Sequence, residues 1–222
     1  MTKQIVIPGE LISDERKRLG SNVFVSEGKI YSKVFGITDK QNETADVVPL
    51  EGQYIPRSED AVIGIVDRVI FAGYGIDINS AAKSFIPKSA MRNEIRLGDV
   101  IAAKIQGVNE VKEAELTYPK VLSRGEVIEI TPVRSPRLIG KNGSMLNLLQ
   151  EGTDSEIFVG KNGRVWAREG NIELLKKVVK FIDENSYKSN LTNAVEEFFK
   201  KQKVKTNGKK SWLQKKQKKI RR

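Results

Sequence analysis

A glycine-bounded tetrapeptide at residues 140–143, Gly-Lys-Asn-Gly, is the part of the sequence best suited to hold a phosphate. Glycine has no Cβ, so the chain can turn sharply there and a sugar-phosphate strand can approach the peptide N–H groups closely. The next segment predicts a helix, whose unpaired N-terminal amides and partial positive charge favour anions. Leu138 and Ile139, just before the loop, are candidates for an apolar groove under the bases. The predicted contacts of this region with a nucleic acid are Arg137, Leu138, Ile139, Gly140, Lys141, Asn142 and Gly143.

A second copy of the same tetrapeptide, at residues 160–163, stands between two predicted strands. Its Asn162-Gly163 pair is typical of a type I′ hairpin turn, so we expect this copy to be an ordinary turn. Neither copy is a nucleotide-binding P-loop, because that motif needs Lys directly before Ser or Thr. A phosphotransferase of the P-loop type is therefore excluded.

The elements around the first copy predict the order β-α-α-β-β-α. They are a strand at 125–130, helices at 136–139 and 144–150, strands at 156–159 and 164–167, and an amphipathic helix from 172 to 182. Ser135 and Pro136 are the predicted N-cap and first residue of the first helix, and Gly152 is the predicted residue just after the second. A glycine loop between two short helices in this order closely resembles the KH domain.

The region from 57 to 122 predicts a small antiparallel β-barrel, for which a five-stranded OB-fold is the commonest form of this size. The predicted strands lie at 62–71, 76–78, 85–87, 100–105 and 115–117, with a break at 73–75. OB-folds hold single strands by stacking bases on exposed aromatic rings beside cations. The candidate contacts here are Arg68, Phe71, Tyr74, Lys83, Lys88 and Arg92; a third ring, Phe85, is the one that we expect most readily in the core.

The first 56 residues alternate turn residues with short β-type runs at 5–7, 23–25, 30–35, 47–50 and 54–56, which indicates a small, hairpin-rich β unit. Such a unit is too short to bury a large core alone, so we expect it to lean on a neighbour. The predicted fold class is thus multidomain, β plus α+β. Its divisions are an N-terminal β domain (1–56), the OB barrel (57–122), a KH domain (123–199) and a Lys-rich tail (200–222).

The segment 62–117, with its Ser84-Phe85-Ile86-Pro87 and Leu97-Gly98-Asp99-Val100 stretches, resembles the S-one type of RNA-binding OB domain. With the barrel before the KH pattern, and Pro8-Gly9-Glu10 near the start, residues 5–190 resemble the S-one/KH cap subunit of the archaeal RNA exosome. The resemblance implies a non-catalytic subunit, present in three copies on a hexameric ring of RNase PH-like proteins, where phosphorolysis occurs. It also implies capture of single-stranded, adenine-rich RNA, with the N-terminal domain docked on the ring.

The composition excludes several chemistries directly. The 222 residues include no Cys and no His, so disulfides, zinc-binding motifs and imidazole acid–base catalysis are absent. The acidic residues occur singly or as neighbours on a helix face, which is typical of solvated surface and not of a metal nuclease. We therefore expect no catalytic residues, no metal and no cofactor. With no long apolar run and no signal-peptide pattern, we expect a cytoplasmic protein that does not cross a membrane.

The net positive charge of the chain lies in its last residues. Residues 200–222 hold 12 Lys and Arg and no acid, whereas residues 1–199 hold 27 basic and 28 acidic side chains. Nonspecific attraction to polyanions is therefore predicted for this tail, in which Trp212 is a candidate for stacking on a base or docking on a partner.

Two alternative functions remain open from the sequence. A transcription elongation factor of the NusA type also has an S-one domain followed by a KH domain, but that family normally continues into a second KH domain. A ribonuclease in its own right is the second alternative, from the enzyme class.

Overall fold

The computed structural model describes residues 3–91, 93–110, 113–187 and 190–202. The chain divides into two compact units. The first contains residues 1–123, 131–135 and 159–164, and the second contains residues 124–130, 136–158 and the chain from 165 onward. Each unit is described separately below.

The first unit begins with eight short strands arranged in three small sheets. The strands are β1 (Lys3–Val6), β2 (Leu11–Ser13), β3 (Arg18–Leu19), β4 (Val23–Ser26), β5 (Lys29–Ser32), β6 (Gly36–Asp39), β7 (Thr44–Ala45) and β8 (Val48–Pro49). Their orders are β1-β6-β8, β2-β5-β4 and β3-β7. The buried side chains that hold them together are Val6, Ile12, Val23, Ile30, Ala45 and Val47. The predicted β-type run at 54–56 forms no strand.

The rest of the first unit is built around a closed five-stranded barrel, as predicted. Its strands are β9 (Ala61–Ile70), β10 (Gly73–Asp77), β11 (Ser84–Pro87), β12 (Val100–Val108) and β13 (Ala114–Val121). The closed order is β10-β11-β13-β12-β9, in which β11 and β13 run parallel and the other neighbours antiparallel. The predicted break at 73–75 is wrong: these residues belong to β10, which pairs with strands on both sides.

The turn at residues 160–163 also lies in the first unit. Its Asn162 is fully buried; its amide nitrogen donates to the carbonyl oxygens of Ile63 (2.7 Å) and Ile78 (2.9 Å). The side-chain oxygen of Asn162, Oδ1, accepts a hydrogen bond from the Ile63 backbone N–H at 3.1 Å. The type I′ prediction is wrong, because that turn needs positive φ at both central residues and only Gly163 has it. The buried amide fixes the turn by bonding backbone groups that a β-ladder leaves unpaired.

The second unit has the β-α-α-β-β-α order of a KH domain, which confirms the predicted fold class. Its elements are β14 (Glu126–Glu129), α1 (Ser135–Ile139), α2 (Ser144–Thr153), β15 (Glu156–Val159), β16 (Arg164–Arg168), α3 (Ile172–Asn185) and a further helix, α4, at 191–202. The sheet order is β14-β16-β15. Two boundary predictions are wrong: Ser135 already has helical backbone angles, and α2 runs through Gly152 to a left-handed cap at Asp154.

In the described part of the chain, no helix is both long and apolar enough to cross a membrane.

Candidate nucleic-acid interface

The loop between α1 and α2 has an unusual backbone over its four residues. Three of them have positive φ: Gly140 at 73°, Asn142 at 53° and Gly143 at 79°. Lys141–Gly143 forms a single 3-10 turn, closed by the Gly143 amide, which bonds the Gly140 carbonyl oxygen at 3.4 Å. Glycine and asparagine are the residues that tolerate this left-handed region, so the sequence fits the loop position by position.

Gly140 is needed for space as well as for its backbone angles. A Cβ at this position would lie 2.8 Å from both the backbone nitrogen and the Cβ of Met145, in the first turn of α2. The loop therefore packs against the start of the helix more closely than any other residue type allows. The result is a bare stretch of main chain at a helix N-terminus.

The first turn of α2 keeps its amides free of side-chain caps. Gly143 is the N-cap residue and has no side chain, and no acidic residue stands in that turn. The Ser144 amide bonds the Lys141 carbonyl oxygen, whereas the next amides of this ten-residue helix have no Ser, Thr or Asp side-chain cap and carry the positive end of the helix dipole. Lys141 and Asn142 are exposed beside them, and Arg137 is exposed in the last turn of α1. This arrangement is suited to a phosphate group.

The apolar groove predicted at 138–139 is only partly correct. Leu138 is 1% exposed, so its side chain packs in the interior of the second unit and offers no surface to a base. The helical period of α1 turns that position inward, which two adjacent apolar residues in the sequence do not reveal. Ile139 is half-buried and is the residue of this pair that can contact a ligand.

On the barrel, the predicted aromatic contacts separate into two groups. Phe71 stands fully exposed at the tip of the β9–β10 hairpin, between strand ends that also expose Val69 and Ile70. Tyr74 is 2% exposed and belongs to the barrel core, so its predicted role as a stacking ring is wrong. Side chains alternate between the two faces of β10, so Tyr74 points inward, whereas Gly73 and Gly75 on either side of it face outward and are covered by other side chains.

Those glycines are covered on the outer surface by three side chains. The Phe85 ring lies against Gly73, where its Cζ atom is 2.7 Å from the place a Cβ would occupy. Gly75 is covered by Asp67, whose Oδ1 is 2.6 Å from such a Cβ, and by Arg68, whose Nε is 3.1 Å from it. Phe85 is half-exposed, contrary to the expectation that it is core. The Gly-Tyr-Gly alternation is the signal that could have shown which rings face outward.

The remaining predicted cations differ in availability. Lys83 is exposed and lines an open cleft of about 600 Å³ with residues 53–56 and 80–82. Lys88 is exposed but pairs with Glu94 at 3.2 Å. Arg92, Trp212 and the tail beyond residue 202 lie outside the described residues.

Charged groups away from the loop serve structural contacts. Burial alone would raise the pKa of Asp77, but a hydrogen bond and ion pair from Arg164 (2.5 Å) and the Asn79 amide outweigh it and lower that pKa. Hydrogen bonds from Lys176 to Glu126 and Glu173 raise the pKa of that lysine. Within the described ranges, no three acidic side chains lie together in a way that could hold a metal ion.

Comparison with known families gives two matches along the chain. Residues 3–51 match the family of the N-terminal domain of the exosome RNA-binding protein RRP4, and residues 125–173 match the KH domain family. A crystal structure described as an exosome complex RNA-binding protein is similar, with a TM-score of 0.63 and 29% identity. The match covers 69% of this chain and 98% of that one.

Relatives named exosome complex component Rrp4 align over most of the length. The Methanosarcina barkeri protein is 35% identical, with 92% of this chain and 85% of the relative covered. The Methanothermus fervidus protein is 35% identical (88% and 95% covered), and the Pyrococcus furiosus protein is 34% identical (87% and 81% covered). These names do not favour the elongation-factor alternative. At this identity over about nine tenths of its length, the chain belongs to the Rrp4 family of exosome complex components.

Proposed function

We propose that this protein is a non-catalytic, RNA-binding cap subunit of the exosome that captures single-stranded RNA and delivers it for 3′-to-5′ degradation. The observation that carries the proposal is the bare main chain at 140–143 in front of the uncapped N-terminus of α2. Its finer parts are a preference for adenine-rich RNA, three copies on a ring of RNase PH-like subunits, and a cytoplasmic location.

At the loop, each element has a distinct task. Gly140 lets the RNA strand approach the peptide groups closely, and amides of the first turn of α2 donate to a phosphate oxygen of the RNA. Lys141 and Arg137 supply full positive charges. Ile139 gives an apolar contact to the adjacent base. Because these contacts are mainly to the sugar-phosphate backbone of the RNA, they position the RNA without recognising its sequence.

The barrel supplies a second set of contacts to the same strand. Phe71 offers a fully exposed ring, and Arg68 and Phe85 are the register partners of Gly75 on the two strands beside β10. Stacking on such rings holds unpaired bases with little sequence preference. Lys83 and Lys88 extend this surface, and Arg92 is proposed with them on sequence grounds. We propose the division into residues 1–56, 57–122, 123–199 and 200–222 on the same basis.

The N-terminal β unit carries a surface suited to a protein partner. Ile5, Ile37 and Val48 face each other in register across the sheet β1-β6-β8, and Ile5 and Val48 are about 60% exposed. A row of exposed aliphatic side chains of this kind is typical of a protein interface. We assign it to docking on the ring.

The loop contact is tested by changing its charge. Lys141→Asp with Asn142→Asp places two carboxylates where a phosphate would lie, and we expect RNA affinity to fall at least tenfold. Fluorescence anisotropy with labelled oligo(A) measures the dissociation constant. The matched control, Lys177→Asp with Asn193→Asp, makes the same charge change at exposed positions of α3 and α4 and should leave most of the affinity intact. Equal affinity in the two double variants would contradict the site.

The non-catalytic assignment needs a separate assay. The purified chain is incubated with labelled oligo(A), Mg²⁺ and phosphate, alone and with RNase PH-like ring subunits. We expect shortening of the RNA only in the presence of the ring. Trimming by the chain alone would favour the ribonuclease alternative.

A further inference from the structure

The sheet β2-β5-β4 carries an aromatic surface that neither the loop nor the barrel uses. Leu11, Tyr31 and Phe24 are in register across its three strands and lie on one face. The Tyr31 and Phe24 rings are stacked, with centroids 5.5 Å apart and planes inclined by 25°. We call these three residues the stacked-aromatic face.

This face is open on the side of Phe24. β4 is the edge strand of its sheet, so within the described ranges the Phe24 ring has Tyr31 on one side and no hydrogen-bonded strand on the other. Phe24 is 38% exposed, although the opposite face of the same sheet is buried through Val23 and Ile30. A planar ring could therefore extend the stack from Phe24 outward.

Backbone groups at this edge are available beside the ring. The Lys33 amide bonds the Asn22 carbonyl, and bonded pairs alternate along an antiparallel ladder. By that alternation Phe24 is bonded to Tyr31, whereas the N–H and C=O of Val25 face away from β5. A donor and an acceptor thus lie next to the open side of the stack, where the edge of a base would fall.

The charges around the stack favour an anionic ligand. Lys29 and Lys33 are exposed, two residues before and two after Tyr31, and neither forms an ion pair with any described residue. The carboxylates nearest in sequence to the three residues of this face are Glu10, whose Oε2 accepts the Ile7 amide at 3.0 Å, Glu27, in the hairpin turn, and Asp14, which follows the Ser13–Ile30 pair. The aliphatic row on β1-β6-β8 has no such mixture of rings and cations.

We propose that the stacked-aromatic face is a further binding site for single-stranded RNA, in which an unpaired base stacks on Phe24 and the flanking lysines contact its phosphates. The proposal rests on the proposed function, because it assumes that the chain binds RNA. It adds a contact on the N-terminal β unit, separate from the glycine loop and the barrel. The chemistry is that of sequence-tolerant base stacking.

The test compares variants of the full chain for binding to a labelled oligo(A) long enough to reach several sites. Phe24→Ala with Tyr31→Ala should weaken binding about tenfold, as expected for the loss of one stacked base. Phe24→Leu keeps the apolar volume but removes the ring, and it should weaken binding several-fold with an unchanged unfolding temperature. The control Leu19→Ala changes an exposed side chain of β3 that lies outside the proposed contacts, and it should bind normally.

Photo-crosslinking identifies the contact directly. A 4-thiouridine-containing single strand should crosslink to the peptide that contains Phe24 in the unaltered chain and lose that crosslink in Phe24→Leu. Normal RNA affinity of Phe24→Leu without a crosslink at β4 would overturn the proposal, even if the glycine-loop double variant binds weakly and so supports the proposed function. Unchanged RNA affinity with loss of co-purification with ring subunits would also overturn it and make the face a protein interface. If neither the unaltered chain nor any variant binds RNA, the proposed function itself fails.

Discussion

At the scale of single residues, the asparagine of the Gly-Lys-Asn-Gly tetrapeptide has a different role in each of its two copies. Asn142 is exposed with a left-handed backbone, whereas Asn162 is fully buried and bonds three backbone groups. The side chain is therefore free to meet a ligand in the first copy and committed to the fold in the second. Identical letters do not indicate identical function here.

Gly140 gives the sharpest residue-level prediction. Gly140→Ala should destabilise the second unit by about 1–3 kcal/mol, because φ is 73° and the added Cβ would clash with the Met145 backbone. RNA affinity should fall with it, since the shifted loop no longer meets a phosphate. Thermal unfolding by circular dichroism and oligo(A) binding measure the two effects.

The control for that change is Gly143→Asn. Its φ is 79°, but nothing lies within 4 Å of the added Cβ, and asparagine tolerates the left-handed region. Stability close to that of the unaltered chain is the expected result. An equal loss in the two variants would mean that backbone angle alone, and not space, makes Gly140 necessary.

At the scale of elements, the turn at 160–163 completes the barrel unit. Replacing Asn162 by Gly should lower the free energy of unfolding by about 3 kcal/mol, because the Ile63 N–H and C=O and the Ile78 C=O lose their buried partner. Chemical denaturation of the full chain, followed by fluorescence and circular dichroism, measures this loss.

The same change in the other copy provides the comparison. Asn142→Gly removes an exposed side chain whose left-handed backbone suits glycine, so a change within about 0.5 kcal/mol is expected. A loss at position 162 as small as that at 142 would show that the buried amide does not hold the unit together.

The sequence predicted elements well where a pattern is local. The five barrel strands, the β-α-α-β-β-α order and the loop all follow from alternation, helical period and glycine spacing. It failed where a contact is remote in sequence. No residue near Asn162 in the sequence indicates that its side chain bonds Ile63, and the neighbours of Leu138 do not show that it points into a core. The short strands at 11–13, 18–19, 36–39 and 44–45 were not predicted either, since pairing with neighbouring strands stabilises each of them more than its own composition does.

At the scale of the whole molecule, the net positive charge and the proposed specific contacts lie in different parts of the sequence. Residues 1–199 are nearly neutral, and residues 200–222 hold 12 of the 39 basic side chains. Removing residues 200–222 should therefore flatten the dependence of RNA affinity on salt while retaining the contribution of the loop. Titrations at several salt concentrations give the slope, and an unchanged slope would show that this segment does not contact phosphate.

The hydrogen bonds between Ile63 and Asn162 span 99 positions of the chain. In a nascent polypeptide that lengthens by about 5–20 residues per second, the last barrel strand ends at Val121, so Asn162 is added about 2–8 s after the barrel strands are complete. During this interval the Ile63 N–H and C=O and the Ile78 C=O lack their side-chain partner and are hydrated by water. Protein synthesis therefore sets a period in which the barrel strands exist without the side chain that completes their hydrogen bonds.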